Sequence, residues 1–307
     1  MSVLIVGSLA YDSVTSPAGS VRDELGGSAT YGGLASQFHL NRFGYGAAAL
    51  VGVVGADFRD EDRAVLASSG LDLSGLEIAD GATFRWEGEY VGNMAEAMTH
   101  ATHLNVFEHF KPQVPPALRE PTVLFCANLH PLIQRDVIEQ TSARRLVMLD
   151  SMNLWIDIAR DALLDIMRMV DLVVINDGEA RMLAEDDNLV RAIRALKNLT
   201  GVATLVVKRG EHGVLALHGD ELIALPAFPT AEVVDPTGCG DTFAGTLAAC
   251  LGGSTGHVGL SELREALMLA TVTSSFTLES FGTAALRTLD VDVFDQRWRA
   301  YRAMLGR

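Results

Sequence analysis

Residues 233–251 read VVDPTGCGDTFAGTLAACL, with two glycines around a cysteine, then an aspartate, then an apolar run at helical spacing. Glycines that open a helix aim backbone N–H groups at one point, where the helix dipole is positive, and such a nest suits an anion. Asp241 places a carboxylate at the same spot, so the two must serve different groups. Phosphoryl transfer needs both. The N–H groups of Gly238, Cys239 and Gly240 would steady the charge on the transferring phosphate, while Asp241 takes the proton of the attacking hydroxyl. The simpler rival is a plain helix entry with Asp241 as a favourable first-turn acid. Two nucleotide motifs are absent. The third glycine position of a dinucleotide fingerprint holds Phe243, and no GxxxxGK[ST] occurs.

The elements that must position these residues follow from pattern. Val3–Leu9 and Ala48–Gly55 are continuous apolar runs, expected as buried strands, and TVLFCAN, RRLVMLDS, DLVVIN and TLVVKRG repeat that character. Ser28–Phe43, a segment stopped by Gly70, LIQRDVIEQTS, LWIDIARDALLDIMRM and NLVRAIRALKNL have helical spacing. Alternating strand and helix predicts an α/β fold with a doubly wound, mostly parallel sheet flanked by helices. A hairpin turning at Gly219-Asp220 and three helices, 241–250, 261–279 and 291–305, close the chain. Thr83–Phe107 differs: TFRWEGEY alternates and no helix interrupts the segment. With residues 12–25 it predicts a small β-sheet, formed from about 12–25 and 82–110 within a single domain spanning 1–307.

The stretch DPTGCGDTFAG resembles the signature of the ribokinase-like, or PfkB, family of carbohydrate and nucleoside kinases: an acid, Thr, Gly, a small residue, Gly, Asp and an aromatic. Cys239 stands where the family usually has Ala. The likeness runs through essentially the whole chain. It implies that Asp241 is the catalytic base, that Gly238, Cys239 and Gly240 form the anion hole, and that ATP and Mg2+ are the cofactors. It implies that Asp12, Gly26 and Gly27 bind substrate, and that Asn176 and Glu179, in INDGEA, act on Mg2+ and phosphate through water with no direct protein cage. Capping of a helix is the rival for Asn176. Lys208, Gly210 and Gly213, in VVKRGEHG, match the strand and turn beside the ATP phosphates, and SSFTLESFGT would flank the adenine. Asp235 and Thr237 are candidates for a monovalent cation such as K+, with a turn role as the rival. The small sheet matches a substrate lid that in many members is also a dimer clasp, which implies a homodimer.

One departure bears on the substrate. In GGSATYGG, Tyr31 stands where the family usually has an Asn that binds a sugar hydroxyl. A tyrosine there would stack on a ring or donate one hydrogen bond. Arg85 is a candidate for an anionic substrate group, with an exposed strand charge as its rival, and Asn153 is a candidate lining residue at a strand end. The expected activity is transfer of the γ-phosphoryl group of ATP to a hydroxyl of a sugar or sugar-like small molecule. The alternatives are a nucleoside kinase, with Tyr31 and Phe107 facing a base, and a catalytically silent ATP-binding scaffold.

Composition bounds the rest. The 307 residues are 49% hydrophobic and 21% charged, as in a globular protein, and the net charge of −15 argues against nucleic-acid or anionic-membrane partners. Cys126, Cys239 and Cys250 show no CxxC spacing, and MSVLIVGSLAYDS has no basic leader. A cytoplasmic location is expected.

Overall fold

The structure, a computed structural model, describes residues 2–306. In chain order it begins with β1 (Val3–Val6), β2 (Ala10–Ser16), β3 (Gly19–Gly26), α1 (Ser28–Phe43), β4 (Ala48–Gly55), α2 (Asp60–Ser68) and β5 (Asp72–Ala79). It continues through β6 (Phe84–Tyr90), β7 (Ala97–His103), β8 (Val123–Cys126), α3 (Pro131–Gln140), β9 (Leu146–Asp150), α4 (Asn153–Met167) and β10 (Leu172–Asn176). It ends with α5 (Asp177–Ala184), α6 (Leu189–Thr200), β11 (Thr204–Lys208), β12 (Val214–His218), β13 (Glu221–Leu225), α7 (Cys239–Leu251), α8 (Leu260–Thr277), α9 (Ala284–Arg287) and α10 (Val291–Met304).

Nine strands form one sheet in the order β13-β12-β11-β10-β9-β8-β1-β4-β5. Only the pairings β11–β12 and β12–β13 are antiparallel. The central strands are apolar throughout because helices cover both faces. One face packs against α1, α7, α8 and α10 through residues such as Leu34, Leu247, Leu267 and Phe294. The other packs against α3 to α6 through Val137, Leu163, Leu183 and Ile193. The chain winds from β1 to β4 and β5 on one side, and from β8 to β9, β10 and β11 on the other. The strand order therefore reverses between β1 and β8, and open sheets of this kind bind ligands beyond the C-terminal ends of the strands at such a point.

Two elements depart from the expectation. β5 is an edge strand that the pattern of DLSGLEIA conceals, because its register on β4 is irregular and its side chains stay half-exposed. α9 is a four-residue turn of helix between two of the three expected closing helices, too short to show a helical spacing.

The second sheet has the order β3-β2-β6-β7. Its residues fall within the two segments expected to form it, apart from the first two of β2 and the last of β3. Register sorts its faces, since paired residues point to the same side. Tyr11 pairs with Arg85, and Asp12 pairs with Trp86 and Glu24. On the Tyr11 face, the Arg59 and Arg85 guanidiniums lie 4.4 and 5.2 Å from the tyrosine ring centre. Tyr11 donates to Asp62 Oδ2 at 3.0 Å and accepts from the Arg59 N–H at 2.8 Å. That network fastens the small sheet to α2 and leaves Asp12 on the opposite face.

Candidate active site at the switch point

Two helices meet backbone to backbone behind the site. A side chain on Gly245 of α7 would collide with the Gly32 carbonyl of α1, and Ser36 Oγ donates to Gly245 O at 2.6 Å. This close crossing sets the first turn of α7 at the switch point. Gly238 caps α7 with φ 76°, and its Cα lies against the face of the Tyr31 ring, so any other residue would be strained and would strike the ring. The anion nest differs from expectation at one member. The Cys239 N–H donates to Pro236 O at 3.2 Å, so it is already used. The N–H groups of Gly238 and Gly240 have no partner among the described residues.

Asp241 stands in that first turn. Burial, with the Asp150 charge added, pushes its carboxyl up to about 7 against the pull of Lys208. On one side of it lies a paired cluster. Lys208, the last residue of β11, holds Asp150, the last of β9, at 3.0 and 3.2 Å. A Cβ on Gly240 would fall 2.9 Å from Lys208 Nζ, which places the ammonium against the nest. Burial lowers the Lys208 pKa, but Asp150, Glu179 and Asp241 together raise it further, so it stays charged. Asn176 lies beside Lys208 in the β10–β11 register. Its Oδ1 accepts from the Glu179 N–H at 2.8 Å, and Glu179 accepts from the Asn176 N–H at 2.8 Å and from Nδ2 at 2.7 Å. Both residues thus form a full capping box on α5 while facing Lys208. Burial is the main cause that lifts Glu179 to about 7.

On the other side stand Asp12 and Asp235. The Asp12 carboxylate lies so close over Gly26 that a Cβ there would overlap it, and the Gly27 N–H donates to it. Burial, then the charges of Asp235 and Asp241, push Asp12 up to about 7. Asp235 accepts from the Thr237 N–H at 2.9 Å and the Gly282 N–H at 3.2 Å. The turn role weighed for Asp235 and Thr237 is therefore filled. Thr237 Oγ1 also meets Tyr90 Oη at 3.3 Å. Tyr31 is buried, and its hydroxyl has no hydrogen-bond partner among the described residues. Asp12, Asp235 and Asp241 all act on it.

Three expected residues lie apart from the cluster. Arg85 pairs with Asp23 and donates to Asp57 Oδ2 at 2.7 Å, on the sheet face away from Asp12. Asn153 is exposed, and its Oδ1 accepts from the Leu154 N–H at 2.9 Å; the strand-end residue that joins the site is Asp150. Phe107 stacks in the core with Phe84 and Phe110, at centroid distances of 5.5 and 5.8 Å. Gly210 and Gly213 close the turn after Lys208, where the Gly213 N–H donates to Gly210 O at 3.0 Å. Trp86 and Tyr90, on β6, lie near Asp12 and Asp235 and were not among the expected candidates. Trp86 shares the Asp12 face, and Gly88 beneath its ring leaves room for it. The signal was the period-2 spacing of Trp86, Gly88 and Tyr90.

The family sequence model described as pfkB family carbohydrate kinase matches residues 2–289. The chain belongs to that family. A cytidine kinase of Thermococcus kodakarensis is 29% identical over 279 residues, covering 87% of this chain and 96% of that one. A nucleoside kinase of Burkholderia thailandensis, solved with inosine, superposes with a TM-score of 0.74 at 19% identity, covering 97% of this chain and 96% of that one. A fructokinase double mutant of Vibrio cholerae, solved with fructose, ADP and potassium ion, superposes with a TM-score of 0.78 at 16% identity, covering 97% and 98%. The nine-stranded sheet with its small companion is thus the ribokinase-like fold, and no helix among the described residues is long and apolar enough to cross a membrane.

Proposed function

We propose that this pfkB-family kinase transfers the γ-phosphoryl group of ATP to a hydroxyl of a sugar or sugar-like acceptor, with Asp241 as the base. The observation that carries the reading is the place of Asp241: the unpaired N–H groups of Gly238 and Gly240 and the Lys208 ammonium lie to one side, and Asp12 to the other. The acceptor oxygen attacks the γ-phosphorus as the bond to the β-phosphate oxygen breaks. The hydroxyl proton passes to Asp241, and ADP leaves. Gly238, Gly240 and Lys208 hold the charge that develops on the transferring group. Asp12 and the Gly27 turn hold acceptor hydroxyls, with Tyr31 Oη as a further donor.

No three acids among the described residues stand so as to cage a metal directly, so the cluster suits a divalent cation held through water. Asp150, Glu179 and Asp241 outnumber Lys208, and burial leaves the excess negative charge costly. Asn176 and Glu179 would hold Mg2+ through water, and the ion when bound supplies positive charge to the ATP phosphates. Asp235 likewise is a buried carboxylate, met by Thr237 and the Gly282 N–H with no cationic side chain among the groups acting on it, which suits K+. The small sheet acts as a lid that keeps water from ATP, and its outer face is the place for a homodimer contact. A cytoplasmic site of action accords with the use of ATP.

A nucleoside acceptor is the second reading. The cytidine kinase relative and the Trp86 ring on the Asp12 face favour it. An ADP-release assay with Mg-ATP across sugars, polyols and nucleosides, with product mass, tests both. One acceptor raising release about 100-fold over ATP alone is the expected result. A flat panel would overturn the kinase reading.

A further inference from the structure

We infer that the acceptor is an uncharged polyol, a neutral sugar or nucleoside, and that the site rejects acceptors bearing a phosphate or carboxylate. The inference rests on the kinase reading and narrows it to one charge class.

Recognition of an anionic substituent needs a cation or a cluster of free N–H donors at the place where the substituent sits. The acceptor side of Asp241 offers the reverse. Asp235 and Asp241 both act on Asp12, and all three act on the Tyr31 hydroxyl. Glu24 extends the acidic surface. It pairs with Asp12 in the β2–β3 register, and its Cβ lies close to Gly282, whose N–H donates to Asp235.

Of the cations near this surface, Arg59, Arg85 and Lys208 are committed elsewhere. Arg85 is held by Asp23 and Asp57, and Arg59 donates to Asp62 Oδ2 at 2.7 Å, both on the opposite face of the small sheet. Lys208 lies on the phosphate side with Asp150 at 3.0 Å. Arg22 is exposed at the β2–β3 irregularity and does not act on Asp12. The groups that do point at the acceptor side suit hydroxyls. Carboxylates accept from them, and the unpartnered Tyr31 hydroxyl donates to them. An added anion would meet the buried carboxylates of Asp12 and Asp241 and find no arginine or lysine free to pair with it.

The test compares matched acceptors that keep a free hydroxyl: fructose with fructose 6-phosphate, glucose with gluconate, cytidine with orotidine. ADP release with Mg-ATP is measured for each, together with calorimetric binding of each acceptor. For the pair that contains the best acceptor, kcat/KM should favour the neutral member by about 100-fold or more, with binding in the same order. Glu24→Lys should narrow that ratio by about tenfold. Equal use or preference of the anionic member would overturn the inference and leave the kinase reading standing. An unchanged ratio in Glu24→Lys would remove the acidic surface as its cause. No binding or turnover with any acceptor would overturn both.

Discussion

Asp241 divides two buried groups of carboxylates that differ in one respect. On the phosphate side, Asp150 and Glu179 share the Lys208 ammonium, and Asn176 adds two donors to Glu179. On the acceptor side, Asp12 and Asp235 are met by backbone N–H groups and the Thr237 side chain, with no ammonium or guanidinium among the groups acting on them. On the proposed reading the same residue types would do different work. The first group would receive a polyphosphate and its metal, since it already contains the positive charge that such a ligand needs. The second would bind hydroxyls, which ask for acceptors and bring no charge of their own. Asp241 lies beside both, where a base between donor and acceptor would stand.

Substitutions can break this division, and the largest effect falls on its centre. Asp241→Asn should lower turnover by about 10³-fold while ADP still binds by calorimetry. Lys208→Met should cost about 10²-fold in kcat and also destabilise the fold by about 3 kcal/mol, because it strips the counter-charge from buried Asp150. The double variant Lys208→Met/Asp150→Asn should recover part of that stability but not the rate, as denaturant melts and kinetics would show. Gly245→Ala should lower stability by roughly 1–3 kcal/mol through the Gly32 carbonyl and misplace α7.

The acceptor side carries a smaller effect of pH. Asp12 in the fold holds its proton up to about 7, far above an unfolded aspartate, so its contribution to stability is complete below about pH 4 and lost as pH rises through 7. Asp12→Asn should therefore raise the ligand-free melting temperature at pH 8, by roughly 2–4 °C, and leave it nearly unchanged at about pH 4. The smallest effect belongs to the unpartnered hydroxyl. Tyr31→Phe should leave the melting temperature within about 1 °C and raise the acceptor KM roughly tenfold with kcat nearly kept. A change in stability without one in KM would return Tyr31 to a packing role beneath Gly238.

The sequence made the sheet legible because its central strands are buried on both faces and carry unbroken apolar runs. It concealed β5, whose edge position demands no such run. The glycine signature located the entry of α7 with Asp241 in its first turn, because a tight helix entry is local in sequence. Asp150 as the partner of Lys208 is not local: 58 residues separate them, and only the parallel register brings the strand ends together. Arg85 was misplaced as a site candidate for a related reason. Its face is decided by pairing with Tyr11, and its charge is consumed by Asp57, 28 residues away. The Cys239 N–H was spent on a turn bond that spacing alone does not reveal.

The most direct test of Asp241 as the base is the pH profile of kcat/KM for the wild type and for Asp241→Asn, with the best acceptor, from about pH 5.5 to 9. The wild-type rate should fall tenfold per unit below an apparent value near 7, where burial places the Asp241 carboxyl, and the residual rate of the variant should lack that limb. The same limb in both proteins would contradict the assignment of the base to Asp241.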